Sequence, residues 1–122
     1  MRVLVTGGRE YNNMRRVFDA LDKVHDSVGV TEVVHGACCD KMGNLKGADG
    51  LSEKWAISRQ LPYRGFPARW KKFGPSAGPK RNQQMINEIR PDIVLAFPGG
   101  KGTKGCADYA ESKGIKVVRV ND

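Results

Sequence analysis

The residues with most chemical potential lie between Asp92 and Thr103, which read Asp-Ile-Val-Leu-Ala-Phe-Pro-Gly-Gly-Lys-Gly-Thr. Three glycines in four residues, Gly99, Gly100 and Gly102, follow an apolar run and lead into Thr103. Glycine has no Cβ, so an anion can approach its backbone closely. A helix start presents unpaired N–H groups and the positive end of the dipole. A glycine turn running into a helix is therefore suited to holding phosphate. Thr103 is expected as the helix N-cap, its hydroxyl accepting from a first-turn N–H. The alternative is that the glycines serve only a tight strand-to-helix turn.

Similar chemistry recurs along the chain. Gly7-Gly8-Arg9 follows another apolar run, and an arginine there can bind phosphate through two parallel bonds. Tyr11 can stack on a base or pack under its own loop. Gly36 follows a third apolar stretch. Asp49, in Gly47-Ala48-Asp49, falls at a helix start. It either hydrogen-bonds ribose hydroxyls or simply favours the helix dipole. Arg81 and Asn82 fall in the first turn of a helix that Pro79 suits. With a parallel sheet, Arg81 would face the same mouth as the other loops.

These groups need elements to position them. Apolar runs at Arg2–Thr6, Thr31–His35, Tyr63–Phe66, Ile93–Phe97 and Ile115–Val120 predict strands. Continuous apolar character in Val3, Leu4 and Val5 suits a central parallel strand buried on both faces. Helical spacing predicts helices from Met14 to about Ser27, Ala48 to about Gln60, Lys80 to Ile89 and Thr103 to about Lys113. Asn12 or Asn13 is expected to cap the first, Pro91 to end the third, and Gly114 to follow the fourth as a C′ glycine. Residues 68–78 are read as irregular and basic, with Trp70 and Phe73 between Arg69, Lys71 and Lys72. Trp55 is expected in the core. Alternating strands and helices predict a single α/β domain over residues 1–122, a Rossmann-like parallel sheet with helices on both faces. Ligands bind such sheets at the strand C-terminal ends. The loops at Gly7, Gly36 and Gly99 all fall on that edge. The pattern G-x-x-x-x-G-K-[ST] is absent.

Composition narrows the function classes. No apolar run approaches membrane-span length, and the first residues enter a strand without the apolar region of a signal peptide, so a cytoplasmic protein is expected. Three cysteines, Cys38, Cys39 and Cys106, have no zinc-type spacing and are expected reduced. His35, Cys38, Cys39 and Asp40 can be read as a metal cluster or as a tight loop at a strand end; the tight loop is preferred, with no metal and no cofactor assigned. The net charge is +8, and no acidic residue lies between Lys54 and Asn87. Lys54, Arg59, Arg64, Arg69, Lys71, Lys72, Lys80 and Arg81 fall in that stretch. Concentrated positive charge points to a phosphorylated small molecule or nucleic acid, or is a solvated basic face.

Gly7-Gly8-Arg9, His35-Gly36-Ala37, Gly47-Ala48-Asp49, Trp55-Ala56, Ala77 through Asn82, Met85 and Phe97 through Thr103 together resemble the SLOG superfamily, in particular its small stand-alone YspA-like branch. The resemblance runs from Arg2 to Val120. It implies a Rossmann-like sheet, frequently homo-oligomeric, that binds nucleotides or nucleotide-derived ligands. Some members, the LOG enzymes, are phosphoribohydrolases that cleave the N-glycosidic bond of nucleoside monophosphates. The related mediator DprA binds single-stranded DNA.

The LOG pattern continues Pro-Gly-Gly-x-Gly-Thr-x-x-Glu, whereas here Cys106 stands in place of that glutamate. Glycoside cleavage needs a carboxylate to stabilise charge or activate water. Asp108 lies two residues on, roughly 200° round a helix, and is expected to face elsewhere. Asp49 or Glu10 would have to substitute from another loop. The first reading is therefore a binder or sensor of a nucleotide or nucleotide-derived ligand. Its site comprises Gly7, Gly8, Arg9, Gly36, Asp49, Arg81, Asn82, Gly99, Gly100, Gly102 and Thr103. The alternatives are a nucleoside 5′-monophosphate phosphoribohydrolase with Asp49 and Arg81 as catalytic candidates, and a single-stranded nucleic-acid binder working through Arg64, Arg69, Lys71 and Lys72.

Overall fold

The structure is a computed structural model that describes residues 1–121; Asp122, the last residue of the expected domain, lies outside the described residues. Its five strands are β1 (Arg2–Thr6), β2 (Glu32–His35), β3 (Tyr63–Gly65), β4 (Ile93–Ala96) and β5 (Lys116–Arg119). All pair in parallel, in the order β3-β2-β1-β4-β5. The alternation of strands and helices gives the expected Rossmann-like α/β sheet.

Side chains alternate across each strand, so one sequence run serves two cores. Val3, Val5, Val33, Ile93 and Leu95 face α1 (Met14–Val28) and α2 (Gly47–Ser58), meeting Val17, Leu21, Trp55 and Ala56. Leu4, Val34 and Val94 face α4 (Ala77–Ile89) and α5 (Lys101–Ser112), meeting Met85, Ile86, Ile89, Cys106 and Ala110. Trp55 is fully buried, and its indole N–H donates to Asp22 at 2.9 Å.

Several boundaries differ from the sequence reading. Residues 68–78 are not irregular: a short helix α3 (Trp70–Phe73) and a 3₁₀ turn (Gly74–Ser76) run directly into α4. α4 therefore begins at Ala77, and Pro79 sits in a first turn whose N–H groups need no helical partner. α5 begins at Lys101 with Gly100 as its cap, so Thr103 lies inside the first turn and is not the N-cap. No side chain caps this helix. Asn13 caps α1 as expected, accepting from Arg16 N–H at 3.1 Å. α4 ends at Ile89, with Arg90 left-handed (φ 50°) before Pro91. Gly114, at φ 78°, follows the C-cap of α5.

The chain steps from β1 through β2 to β3 on one side, then returns to β4 and β5 on the other. The switch point lies between β1 and β4, where Thr6 pairs with Ala96. Loops leaving two such strands diverge and open a crevice.

Candidate functional site

Three loops close on one another at this edge. Gly8 N–H donates to the Pro98 carbonyl at 2.8 Å, and the Gly8 carbonyl accepts from Tyr11 N–H at 3.2 Å and Ala48 N–H at 3.4 Å. The loop after β1 is thus bonded to the loop after β4 and to the start of α2. Close approach explains some of the glycines. A Cβ on Gly7 would stand 2.5 Å from Ala48 Cβ, and one on Gly99 would stand 2.7 Å from Gly8 N. Gly100 and Gly102 differ, because nothing lies within 4 Å of where their Cβ atoms would be.

A cavity of about 440 Å³ opens between these loops, α4 and α3. Of the residues singled out in the sequence, Gly7, Gly8, Arg9, Gly36, Asp49, Arg81, Asn82, Gly100, Gly102 and Thr103 line it. Gly99 does not; it lies behind, in the seam between Gly8 and Thr103. The uncapped start of α5 faces this cavity through Gly100, Lys101, Gly102 and Thr103.

Asp49 is a buried carboxylate on the cavity wall. Its Oδ2 accepts from Cys38 N–H at 3.1 Å. Burial pushes its pKa above the ordinary carboxylate value, against the opposing pull of His35, the Cys38 N–H and Arg81. A carboxyl of this kind can hold sugar hydroxyls, or carry a proton where an ordinary aspartate would not. Arg81 is tied down by three bonds. Nη1 donates to the carbonyls of Gly36 and Phe66, the latter at 3.2 Å, and Nε donates to Asn82 Oδ1 at 2.7 Å. It holds the ends of β2 and β3 against α4, leaving Nη2 outside these bonds.

The other carboxylates lie elsewhere. Glu10 is exposed and bonded to Lys46 at 2.7 Å. Asp108 is paired with Lys104 at 2.6 Å and Arg119 at 3.0 Å, on the exposed side of α5 as expected. Cys106 points into the core beneath α5, where burial pushes its thiol up to about 11 despite a bond to the Thr6 side chain. It lines no part of the cavity. Tyr11 packs under its own loop, its ring 5.7 Å from that of Phe97.

His35 is buried, with Nδ1 accepting from Ala37 N–H and Nε2 standing 2.9 Å from Glu53 Oε1. Asp40 accepts from Met42 and Asn44 N–H groups, and Cys39 Sγ donates to the Ala37 carbonyl. These bonds hold a tight loop at the end of β2. In the basic stretch, Arg59 is paired with Asp22 and Arg64 with Glu32. Arg69, Lys71, Lys72 and Lys80 have no ion pair among the described residues, and Lys72 and Lys80 stand over the Phe73 ring.

Trp70, which the sequence marks together with Phe73 among basic residues, joins the cavity, whereas Phe73 does not line it. Half exposed, Trp70 lines the mouth beside Pro75 and Gly78. The available signal was the interleaving of aromatic and basic residues, which does not say which aromatic faces the site.

A parallel five-stranded sheet with a cavity beside its switch point defines a Rossmann-like protein. The chain belongs to the YspA, cpYpsA-related SLOG family (YAcAr), whose pattern matches residues 1–73. That span covers the Gly7 and Gly36 loops and Asp49, and ends before the Gly99 loop. The chain is 36% identical over 129 aligned residues to the Gene 61 protein of Mycobacterium phage D29, covering 99% of this chain and 97% of that one. Its fold is also similar to that of the Moco Carrier Protein from Chlamydomonas reinhardtii, with a TM-score of 0.66 and 17% identity over 99% of this chain and 76% of the other. No helix among the described residues is long and apolar enough to cross a membrane.

Proposed function

We propose that the protein binds a nucleotide or nucleotide-derived ligand at the C-terminal edge of its sheet, with phosphate held by the Pro98–Thr103 loop. The observation that carries this reading is the contrast among the glycines. Gly7 and Gly99 are closed by packing, whereas Gly100 and Gly102 leave open space at an uncapped helix start. Backbone N–H groups of Lys101, Gly102 and Thr103 supply the donors, and the dipole favours the anion. Asp49 is placed for ribose hydroxyls, with Arg9 and Arg81 adding positive charge. The similarly folded Moco Carrier Protein is named for carrying a small ligand, which supports small-molecule binding on this fold.

The test is thermal melting with a panel of nucleoside monophosphates and larger nucleotide-derived compounds, followed by chromatography of the mixtures. A raised melting temperature with intact nucleotide supports a binder. No shift with any compound overturns the reading.

A second reading is favoured by one observation: the buried Asp49 carboxyl in the cavity has a raised pKa. Under this reading Asp49 takes the place of the missing glutamate in a nucleoside 5′-monophosphate phosphoribohydrolase. Free base in the same mixtures, lost in Asp49→Asn, would establish it; intact monophosphates throughout would dismiss it. Assembly of copies into a homo-oligomer belongs to the same proposal, and light scattering on the purified protein tests it.

A further inference from the structure

The cavity described above has a neighbour. A second lobe of about 530 Å³ adjoins it, and both are lined by Arg9, Gly36, Cys38, Trp70 and Arg81. Each lobe alone falls within the roughly 300–1,000 Å³ of small-molecule pockets. Trp70 stands at the waist. A Cβ on Gly78 would meet its Cη2 at 3.1 Å, so the absence of that Cβ lets the indole lie against the start of α4. The ring is 50% exposed, an anchored aromatic surface reachable from both lobes.

The second lobe is cationic. Arg9, Lys41, Lys46 and Arg81 line it, against Glu10 and Asp40. Glu10 is engaged by Lys46, and Asp40 by the N–H groups of Met42 and Asn44. Arg9 and Lys41 have no ion pair among the described residues, so their charge is available to an anion. The first lobe has the uncapped helix start at Gly100–Thr103, proposed above to hold phosphate. Two anion sites flanking one aromatic wall fit a ligand with two phosphates and a flat ring system between them.

We propose that the ligand is a dinucleotide, its first nucleotide in the inner lobe and its second phosphorylated nucleoside unit beyond Trp70, between Arg9 and Lys41. The inference rests on the nucleotide reading above and extends it to a ligand class. The same chemistry occurs free or at the end of a nucleic-acid strand.

The experiment is a calorimetric titration of the whole protein with adenosine 5′-monophosphate, 5′-phosphorylated diadenylate and a longer 5′-phosphorylated oligoadenylate. It is repeated on Lys41→Glu and Trp70→Ala. The diadenylate is expected to bind at least about tenfold tighter than the monophosphate, the worth of one charge-assisted hydrogen bond. Lys41→Glu should abolish that excess, weakening the diadenylate far more than the monophosphate. Trp70→Ala should also shrink the excess; should that substitution unsettle α3, Lys41→Glu decides alone, because Lys41 lies on an exposed loop. Equal affinity for monophosphate and diadenylate, or an excess that survives Lys41→Glu, overturns the proposal while the nucleotide reading stands. Binding of none of the three overturns the dinucleotide proposal, and the nucleotide panel described above then decides the nucleotide reading. Tighter binding of the longer strand assigns the strand end as source, and weaker binding assigns the free dinucleotide; either keeps the proposal.

Discussion

Gly36 and Arg81 fit each other in two ways. The Gly36 carbonyl accepts from Arg81 Nη1, and a Cβ on Gly36 would stand 2.5 Å from that same nitrogen. The end of β2 and the second turn of α4 therefore constrain each other directly. Gly36→Ala should cost about 1–3 kcal/mol through overpacking. Arg81→Ala should cost a similar amount, about 1–3 kcal/mol, by leaving part-buried carbonyls without a donor. In the double variant the clash is gone, so its loss should be smaller than the sum of the two single losses. Urea unfolding of the four proteins checks this, and strict additivity would contradict it.

The loop glycines should separate into two kinds. Gly99→Ala puts a Cβ 2.7 Å from Gly8 N, a backbone atom that can yield only if the loops part. A loss of about 1–3 kcal/mol is expected. Gly102→Ala meets nothing within 4 Å and lies in the first turn of α5, so stability should hold or rise by up to about 1 kcal/mol. Its nucleotide binding should nevertheless weaken, because the methyl occupies the space proposed for phosphate. Melting curves with and without adenosine 5′-monophosphate distinguish the two variants.

Thiol labelling should follow burial and charge. Cys39 is exposed, Cys38 half-buried and Cys106 buried with its thiol pushed up to about 11. A disulfide reagent at about pH 8 should label Cys39 first and reach Cys106 only on unfolding, since the thiolate is the reactive form. Cys38 lines the cavity, so bound nucleotide should slow its labelling. Rapid modification of Cys106 in the folded protein would contradict its placement.

Asp49 gives a pH dependence of defined sign. Its folded pKa is raised, so its stabilising contribution is fully present below the unfolded value and is lost as pH rises through the folded value. Where Asp49 is ionised, its buried charge is a burden. Asp49→Asn keeps an acceptor for Cys38 N–H and removes that charge. Its melting temperature should exceed the parent's by a few degrees above the folded pKa, with the gap closing as pH falls from the folded to the unfolded value. A gap that stays constant with pH would show that Asp49 is not the cause.

Restoring the glutamate at Cys106 should fail to create activity. The side chain there enters a core with Leu4, Met85 and Ala110, where a carboxylate would be buried without a partner. Cys106→Glu should lower the melting temperature sharply and release no base from monophosphates. Base release by a folded Cys106→Glu protein would show that this position can reach the cavity.

The alternation of strands and helices, the central place of Val3-Leu4-Val5, and the position of the glycine loops after strands are legible in the residues alone. Burial imposes a period on the chain, and a period is visible in one dimension. A cap at Asn12 or Asn13, Gly114 as a C′ glycine and Trp55 as core are legible too, because each answers to its own immediate surroundings. Which glycines face a seam and which face open space depends on how distant loops meet in the fold. Gly99 and Gly102 are equivalent by composition; they part because Gly8, from the far end of the chain, bonds to Pro98 and fills the space behind Gly99 alone. The same holds for Arg81, whose partners are carbonyls at the ends of β2 and β3, and for Asp49, whose pKa is set by burial that no neighbour in sequence announces. The early start of α5 and the helix at Trp70 are not legible in the local residues, because packing across loops, Gly99 against Gly8 and Trp70 against Gly78, overrides the signals that point to Thr103 and to an irregular stretch.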